Sequence, residues 1–210
     1  MPSPALLLTD DEVVAIAVDA LVAWPSALPT VDVEDAEQLT AAMQRGRRSL
    51  QIRGMATDDD DQTSSLNVAR GLAGGAGHIH VYLGDDKLQR ASWSFTTVLG
   101  QAGDLWCTDI LTSDGTHRLV ETSRDDALTY LTALLEGAFV AGPEGSPVGT
   151  GEPGWLCALA VMNDERLAVA IRRHEIVVQS SEAGGPRPSQ EGAWTPQSVA
   201  EALVQTVTSP

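Results

Sequence analysis

The stretch HIHVYLGDDKLQRASWSFTTVLGQAGDLWCTDILTSDGTHRLVETSRDDALTYLTALLEGAF, His78 to Phe139, decides the fold. HIHVYL and RASWSFTTVL flank Gly84-Asp85-Asp86, and DLWCTDIL and THRLVET flank Asp114-Gly115. Alternating segments bounded by turn residues predict two hairpins, and so an antiparallel meander of four strands. On the second strand Trp93, Phe95 and Leu99 share one face while Ser92, Ser94 and Thr96 share the other, as expected for a sheet covered on one side. The meander then runs into a helix. Ser123 is its expected N-cap, Asp125 and Asp126 fall in the first turn, and Leu128, Leu131, Leu134, Leu135, Ala138 and Phe139 form a wide apolar stripe that must pack on the sheet.

The same pattern recurs further on. WLCALAVM and RLAVAIRR are joined by Asn163-Asp164-Glu165, and EIVVQ follows His174. After a Gly- and Pro-rich loop, Thr195 caps a helix with Pro196 at its first position and an apolar stripe of Val199, Leu203, Val204 and Val207. Between the copies, residues 140–154 hold five glycines and three prolines and read as a linker without regular structure. The expected fold is α+β: a single domain over residues 1–210 with amino-terminal helices, then two pseudo-repeated units, 78–139 and 155–207. Each unit is an antiparallel meander closed by a helix, with helices on one face of the sheet.

Upstream, Thr9 with Glu12 three residues on is a capping-box pattern. Val13, Ile16, Ala17, Ala20, Leu21 and Trp24 then repeat at helical spacing up to Pro25. A second helix is expected from near Val33, with Ala36, Leu39, Met43 and Leu50 as its stripe, Gly46 tolerated inside it and Gly54 as a left-handed terminator. Arg45, Arg47, Arg48 and Arg53 lie late in this helix, where they suit the dipole and the surface better than an anion site. Asp58 to Asp61 read as a solvated loop, because the run lacks the ligand order of a calcium loop. A short helix is expected near Ser65 to Leu72. The glycines from Gly71 to Gly77 precede a strand, the reverse of the dinucleotide-binding order, and read as a flexible connection.

A formal net charge of -16, with Lys87 the only lysine, disfavours nucleic acid and anionic membrane surfaces as partners. No run of apolar residues is long enough to span a bilayer and the start lacks the features of a signal peptide, so a cytoplasmic location is expected. Scarce lysine beside abundant Ala, Gly, Val, Asp and Arg suggests a GC-rich bacterial genome. Cys107 and Cys157 each sit in an apolar strand and read as buried free thiols. His78 and His80 share one strand face and are a start toward a metal site, but no third ligand is assignable. His117 and His174 lie beside arginines and read as surface histidines. No catalytic residue, metal or cofactor is assigned. Of the five tryptophans most are expected in the core, any exposed one being an interface anchor.

The segment AEQLTAAMQRGRRSLQIRGMATDDDD resembles the amino-terminal helix and following turn of the EspG family, with Leu50, Arg53, Gly54 and Met55 carrying the match. The order that follows is also similar: a short helix, a sheet containing a Gly-x-His-Leu-Val-like strand, here Gly115 to Val120, a helix, and a pseudo-repeated second half. The resemblance implies a cytosolic chaperone of the type VII (ESX) secretion system that binds PPE proteins within PE-PPE pairs. On that reading the partner is a secreted helical client, and the exposed hairpin tip Gly84, Asp85, Asp86 and Lys87 is the expected contact. Two other readings stay open: an acidic immunity or inhibitor protein that binds a basic partner, and a small-molecule-binding or enzymatic α+β domain. An unpaired strand at a sheet edge also makes a homodimer possible.

Overall fold

A computed structural model describes residues 5–55, 64–75, 77–84, 96–102, 105–142, 154–163, 165–180 and 194–208. In chain order the elements are β1 (Leu6–Thr9), α1 (Asp10–Asp19), α2 (Ala36–Ile52), α3 (Ser64–Gly74), β2 (Gly77–Gly84), β3 (Thr96–Ala102), β4 (Leu105–Leu111) and β5 (Thr116–Thr122). They continue with α4 (Arg124–Ala141), β6 (Trp155–Met162), β7 (Glu165–Arg172), β8 (Glu175–Ser180) and α5 (Pro196–Thr208). All strands join one antiparallel sheet in the order β1-β5-β4-β3-β2-β6-β7-β8. The two meanders therefore meet through their first strands, Val81 lying opposite Ala158. This is the α+β architecture expected from the strand and helix patterning.

Alternation along each strand divides the core in two. Ile79, Val81 and Leu83 of β2, Leu156, Ala158 and Ala160 of β6, and Leu167, Val169 and Ile171 of β7 meet Leu131, Leu135, Leu203 and Val204 of α4 and α5. The two unit-closing helices thus share one face, as expected. Ser123 caps α4 by accepting from the Asp126 N–H at 3.0 Å, and Thr195 caps α5 by accepting from the Ser198 N–H at 3.1 Å. The amino-terminal helices lie on the opposite face, over the other half of the sheet. There Val13, Ile16, Leu50, Leu66, Ala69 and Leu72 pack on Leu8, Cys107 and Leu119. The α4 and α5 core extends across β3 and β4 through Leu99 and Trp106, whereas among the described residues α1 to α3 do not reach β6, β7 or β8.

Several expectations change in three dimensions. Strand β1 adds an element before the helices expected at the amino-terminal end, because Leu6 to Thr9 find β5 as a partner far along the chain. Helix α1 ends at Asp19 rather than reaching Trp24, since Leu21 adopts the left-handed conformation (φ 56°) and turns the chain away. Helix α2 begins three residues beyond Val33, where the Asp35 carboxylate accepts from the Glu37 and Gln38 N–H groups at 2.9 and 3.1 Å. Helix α4 runs to Ala141, into the expected linker, because the β7–β8 turn holds its end: the Arg173 and His174 N–H groups donate to the Ala138 and Phe139 carbonyls at 3.1 and 2.8 Å. Residues 143–153, like Trp93, Phe95 and the run Asp58 to Asp61, lie outside the described residues.

Gly46 is required rather than tolerated. A Cβ there would stand 1.9 Å from the Asp11 carbonyl oxygen of α1, so the two helices cross at a distance only glycine permits. Gly46→Ala must force them apart, and we expect a loss of about 3 kcal/mol in urea unfolding; a loss below about 1 kcal/mol would show that the crossing relaxes freely. Leu21 offers the converse test, being 92% exposed while holding a conformation disfavoured for a β-carbon. Leu21→Gly is expected to stabilise the fold by about 1 kcal/mol.

Candidate functional site

The densest cluster of chemically capable side chains is buried under the amino-terminal helices. Asp109 of β4 and His117 of β5 point to the same face, and Asp10 enters from the first turn of α1. The His117 ring donates from Nδ1 to Asp109 Oδ2 at 2.8 Å and from Nε2 to Asp10 Oδ1 at 2.9 Å, with all three side chains at most 1% exposed. Asp10 Oδ2 also accepts from the Thr30 N–H at 2.7 Å and the Thr30 hydroxyl at 2.6 Å. Asp109 Oδ2 accepts from the Ser26 hydroxyl at 2.5 Å and the Trp24 indole at 3.3 Å. The departure of the chain from α1 at Leu21 is what brings Trp24, Ser26 and Thr30 over this cluster.

His117 is therefore a buried ion partner, not the surface histidine that the neighbouring Arg118 suggests. Burial pulls its pKa down most strongly, but the hydrogen bonds and charges of Asp10 and Asp109 outweigh that and raise it to about 9. Both ring nitrogens are engaged, so the imidazolium has no lone pair for a base's task. The cluster clamps β4, β5, the β1–α1 junction and residues 24–30 together. Among the described residues no group of three or more His, Cys, Asp or Glu side chains is arranged to hold a metal. His78 and His80 do share a face, their rings 6.2 Å apart, but His78 Nε2 is bonded to the Leu72 carbonyl at 2.8 Å and closes the end of α3. Burial lowers the His78 pKa, opposed by that bond. Cys107 and Cys157 are buried free thiols, and burial together with the Asp109 charge pushes Cys107 up to about 12.

The residues of the Leu50, Arg53, Gly54, Met55 motif also acquire a physical role. The Gly54 N–H donates to the Gln51 carbonyl at 3.0 Å and the Met55 N–H to the Leu50 carbonyl at 2.8 Å, with Gly54 at φ 67° and Met55 and Leu50 in one apolar cluster. This is a Schellman helix end. It aims Arg53 back at the buried Glu12, 2.7 Å away, whose carboxylate also accepts from Ser49 and from the Thr9 N–H of the capping box. Arg45 pairs with Asp11 at 2.7 Å and Arg47 pairs with Asp19. The late arginines of α2 thus serve to bind α1 as well as the surface.

The second candidate is the β6–β8 half of the sheet, on the face away from α4 and α5. Over β6, β7 and β8 no helix among the described residues covers the face that carries Tyr82, Trp155, Cys157, Leu159, Ala168, Ala170 and Val177. Trp155, Cys157 and Ala170 pack together with Tyr82 at their side, and the Arg172 guanidinium stacks 4.2 Å above the Trp155 ring. The depression between Tyr82, Ala168, Ala170 and Val177 holds about 40 Å³, far below what a metabolite needs and enough for a side chain from a partner. Gly84 ends β2 opposite Trp155, at the rim of this face, while Asp85, Asp86 and Lys87 lie outside the described residues. Trp24 and Trp194 are half-buried and Trp106 and Trp155 are buried, so none of the four described tryptophans is an exposed anchor.

His117 is raised above the ordinary 6.5, so its contribution is fully present below that value and is lost as pH rises through about 9. We expect unfolding free energy to fall by about 3 kcal/mol across that window, read from urea titrations at successive pH values. Asp109→Asn should move the loss to lower pH. An unchanged profile in His117→Gln would show that His117 is not the group responsible.

No family model and no curated protein matches this chain. No helix among the described residues is long and apolar enough to cross a membrane. Among solved structures the chain is similar to the Mycobacterium tuberculosis type VII secretion system chaperone EspG5, solved in complex with a PE25-PPE41 dimer, at 13% identity over 97% of this chain and 95% of that chain, with a TM-score of 0.46.

Proposed function

We propose that this protein is a cytosolic chaperone or adaptor that binds a secreted helical client of the PE-PPE type. The observation that supports the reading is the β6–β8 face over which no described helix lies, where Val177 is exposed and Tyr82, Leu159 and Ala168 are half-buried around a shallow apolar depression. Such a surface suits the apolar flank of a helical pair. The resemblance of the segment ending in Leu50, Arg53, Gly54 and Met55 to the EspG family agrees with it. Gly84, at the rim, and the Asp85 to Lys87 residues that follow are proposed to flank the client. The net charge of -16 keeps the unloaded protein soluble despite the apolar face.

The test is co-expression with a PE-PPE-type pair from the same genome, followed by size-exclusion chromatography and titration calorimetry at low and high salt. Binding that survives high salt is expected, because the contact is apolar. Ala168→Arg and Leu159→Arg, both on half-buried positions of the open face, should each weaken binding by at least about tenfold. Binding confined to a basic protein at low salt would replace this reading with the inhibitor one. Unaltered client binding in both variants would place the contact elsewhere.

A further inference from the structure

The two edges of the sheet are treated differently. At β1 two outward-facing groups are taken by side chains: Arg53 Nη2 donates to the Leu7 carbonyl at 2.9 Å, and the Thr9 N–H donates to Glu12 at 3.0 Å. The Arg53–Glu12 pair that holds these groups therefore also occupies part of that edge. At β8 the register is set by the two-residue turn Arg173-His174, with Arg172 opposite Glu175. That places the ladder bonds to β7 at Glu175, Val177 and Gln179, so the N–H and C=O groups of Ile176 and Val178 point out of the sheet. Among the described residues nothing bonds to them. Ile176-Val177-Val178-Gln179 contains no lysine and no proline, the usual guards of an exposed edge. The Ile176 and Val178 side chains are anchored in the core under α4 and α5, whereas Val177 on the opposite face is 39% exposed.

We propose that β8 is a dimerisation edge and that its occupant is β8 of a second copy of this chain. The strand is self-complementary in one antiparallel register, with the two-fold axis at Val177. Ile176 then faces the partner's Val178 and exchanges both backbone hydrogen bonds with it, and the reciprocal pair doubles them. Val177 meets the partner's Val177 across the axis and loses its exposure. Glu175 falls opposite the partner's Gln179, so no like charges are opposed and the carboxylate gains an amide donor. Nothing else about β8 specifies a foreign strand. Each copy carries a formal net charge of -16, and the resulting repulsion is screened by salt, so association should tighten as ionic strength rises. This pairing does not depend on the client reading.

Sedimentation equilibrium of the full chain, from low micromolar to submillimolar concentration, tests the proposal. A reversible monomer–dimer equilibrium that tightens with salt is expected. Val177→Lys sets two ammonium groups against each other at the axis and should raise the dimer Kd at least about tenfold. Gln179→Arg should lower it by pairing with the partner's Glu175. Val178→Pro removes an N–H that β7 does not use and should abolish the dimer, with far-ultraviolet circular dichroism checking that the fold is retained. Val177→Cys should form a symmetric intermolecular disulfide and Gln179→Cys should not, the native Cys107 and Cys157 being buried. A monomer at every concentration, or a dimer that withstands Val177→Lys and cross-links through another position, overturns the proposal.

Discussion

The His117 imidazolium held between Asp10 and Asp109 is the interaction on which the amino-terminal half depends. It joins four pieces that are remote in sequence: the β1–α1 junction, β4, β5 and the segment carrying Trp24, Ser26 and Thr30. A buried ionic group of this kind adds less to net stability than its contacts suggest, because each charge has lost its water. Removing one member is another matter, since it strands the others in a medium that cannot solvate them, at a cost of about 3 to 5 kcal/mol. The cluster thus fixes one arrangement of the segments around it. Asp109 Oδ1 has no hydrogen-bond partner among the described residues, so the positive charge of His117 is what makes the buried carboxylate tenable.

A second ionic group extends the same logic to the margin of the sheet. Glu12 is 1% exposed and sits in the first turn of α1, where the helix dipole favours it and the capping box needs it. Arg53 reaches it only because the Schellman end at Gly54 turns the chain at that residue. The helix terminator, the salt bridge and the partly occupied β1 edge are therefore one device, built from residues that in sequence look like a helix end followed by a turn. Among the described residues the opposite edge has no such device, and no helix lies over β6, β7 and β8 on the face of α1 to α3.

Much of the fold was legible because the relevant signals are local. The alternation of HIHVYL, the Asp114-Gly115 turn, the Ser123 and Thr195 caps and the stripes of α4 and α5 each follow from a few neighbouring residues. The misses have one cause. Strand β1 exists because β5 offers it an edge, and the helical spacing from Val13 to Trp24 breaks at Leu21 because Trp24 and Ser26 are drawn to Asp109. A signal for the buried cluster was nonetheless present: Cys107, Asp109 and Leu111 share one strand face, and a carboxylate between two apolar neighbours on the inward side demands a partner. His117, two strand positions from Gly115, lies on that inward face, because alternation puts its neighbour Arg118 on the other one.

The sequence by itself determined the α+β class, the strand and helix inventory of both units, the buried thiols and the acidic character, because periodicity, capping and composition act over a turn or a strand. Only the tertiary structure decided that α1, α2 and α3 cover the face opposite α4 and α5, that Gly46 is required by the α1 crossing, and that His117 is an internal ion. These depend on which surfaces meet across the chain, and the packing of one helix on another or the pairing of a charge with its counter-ion leaves no mark within a single local window.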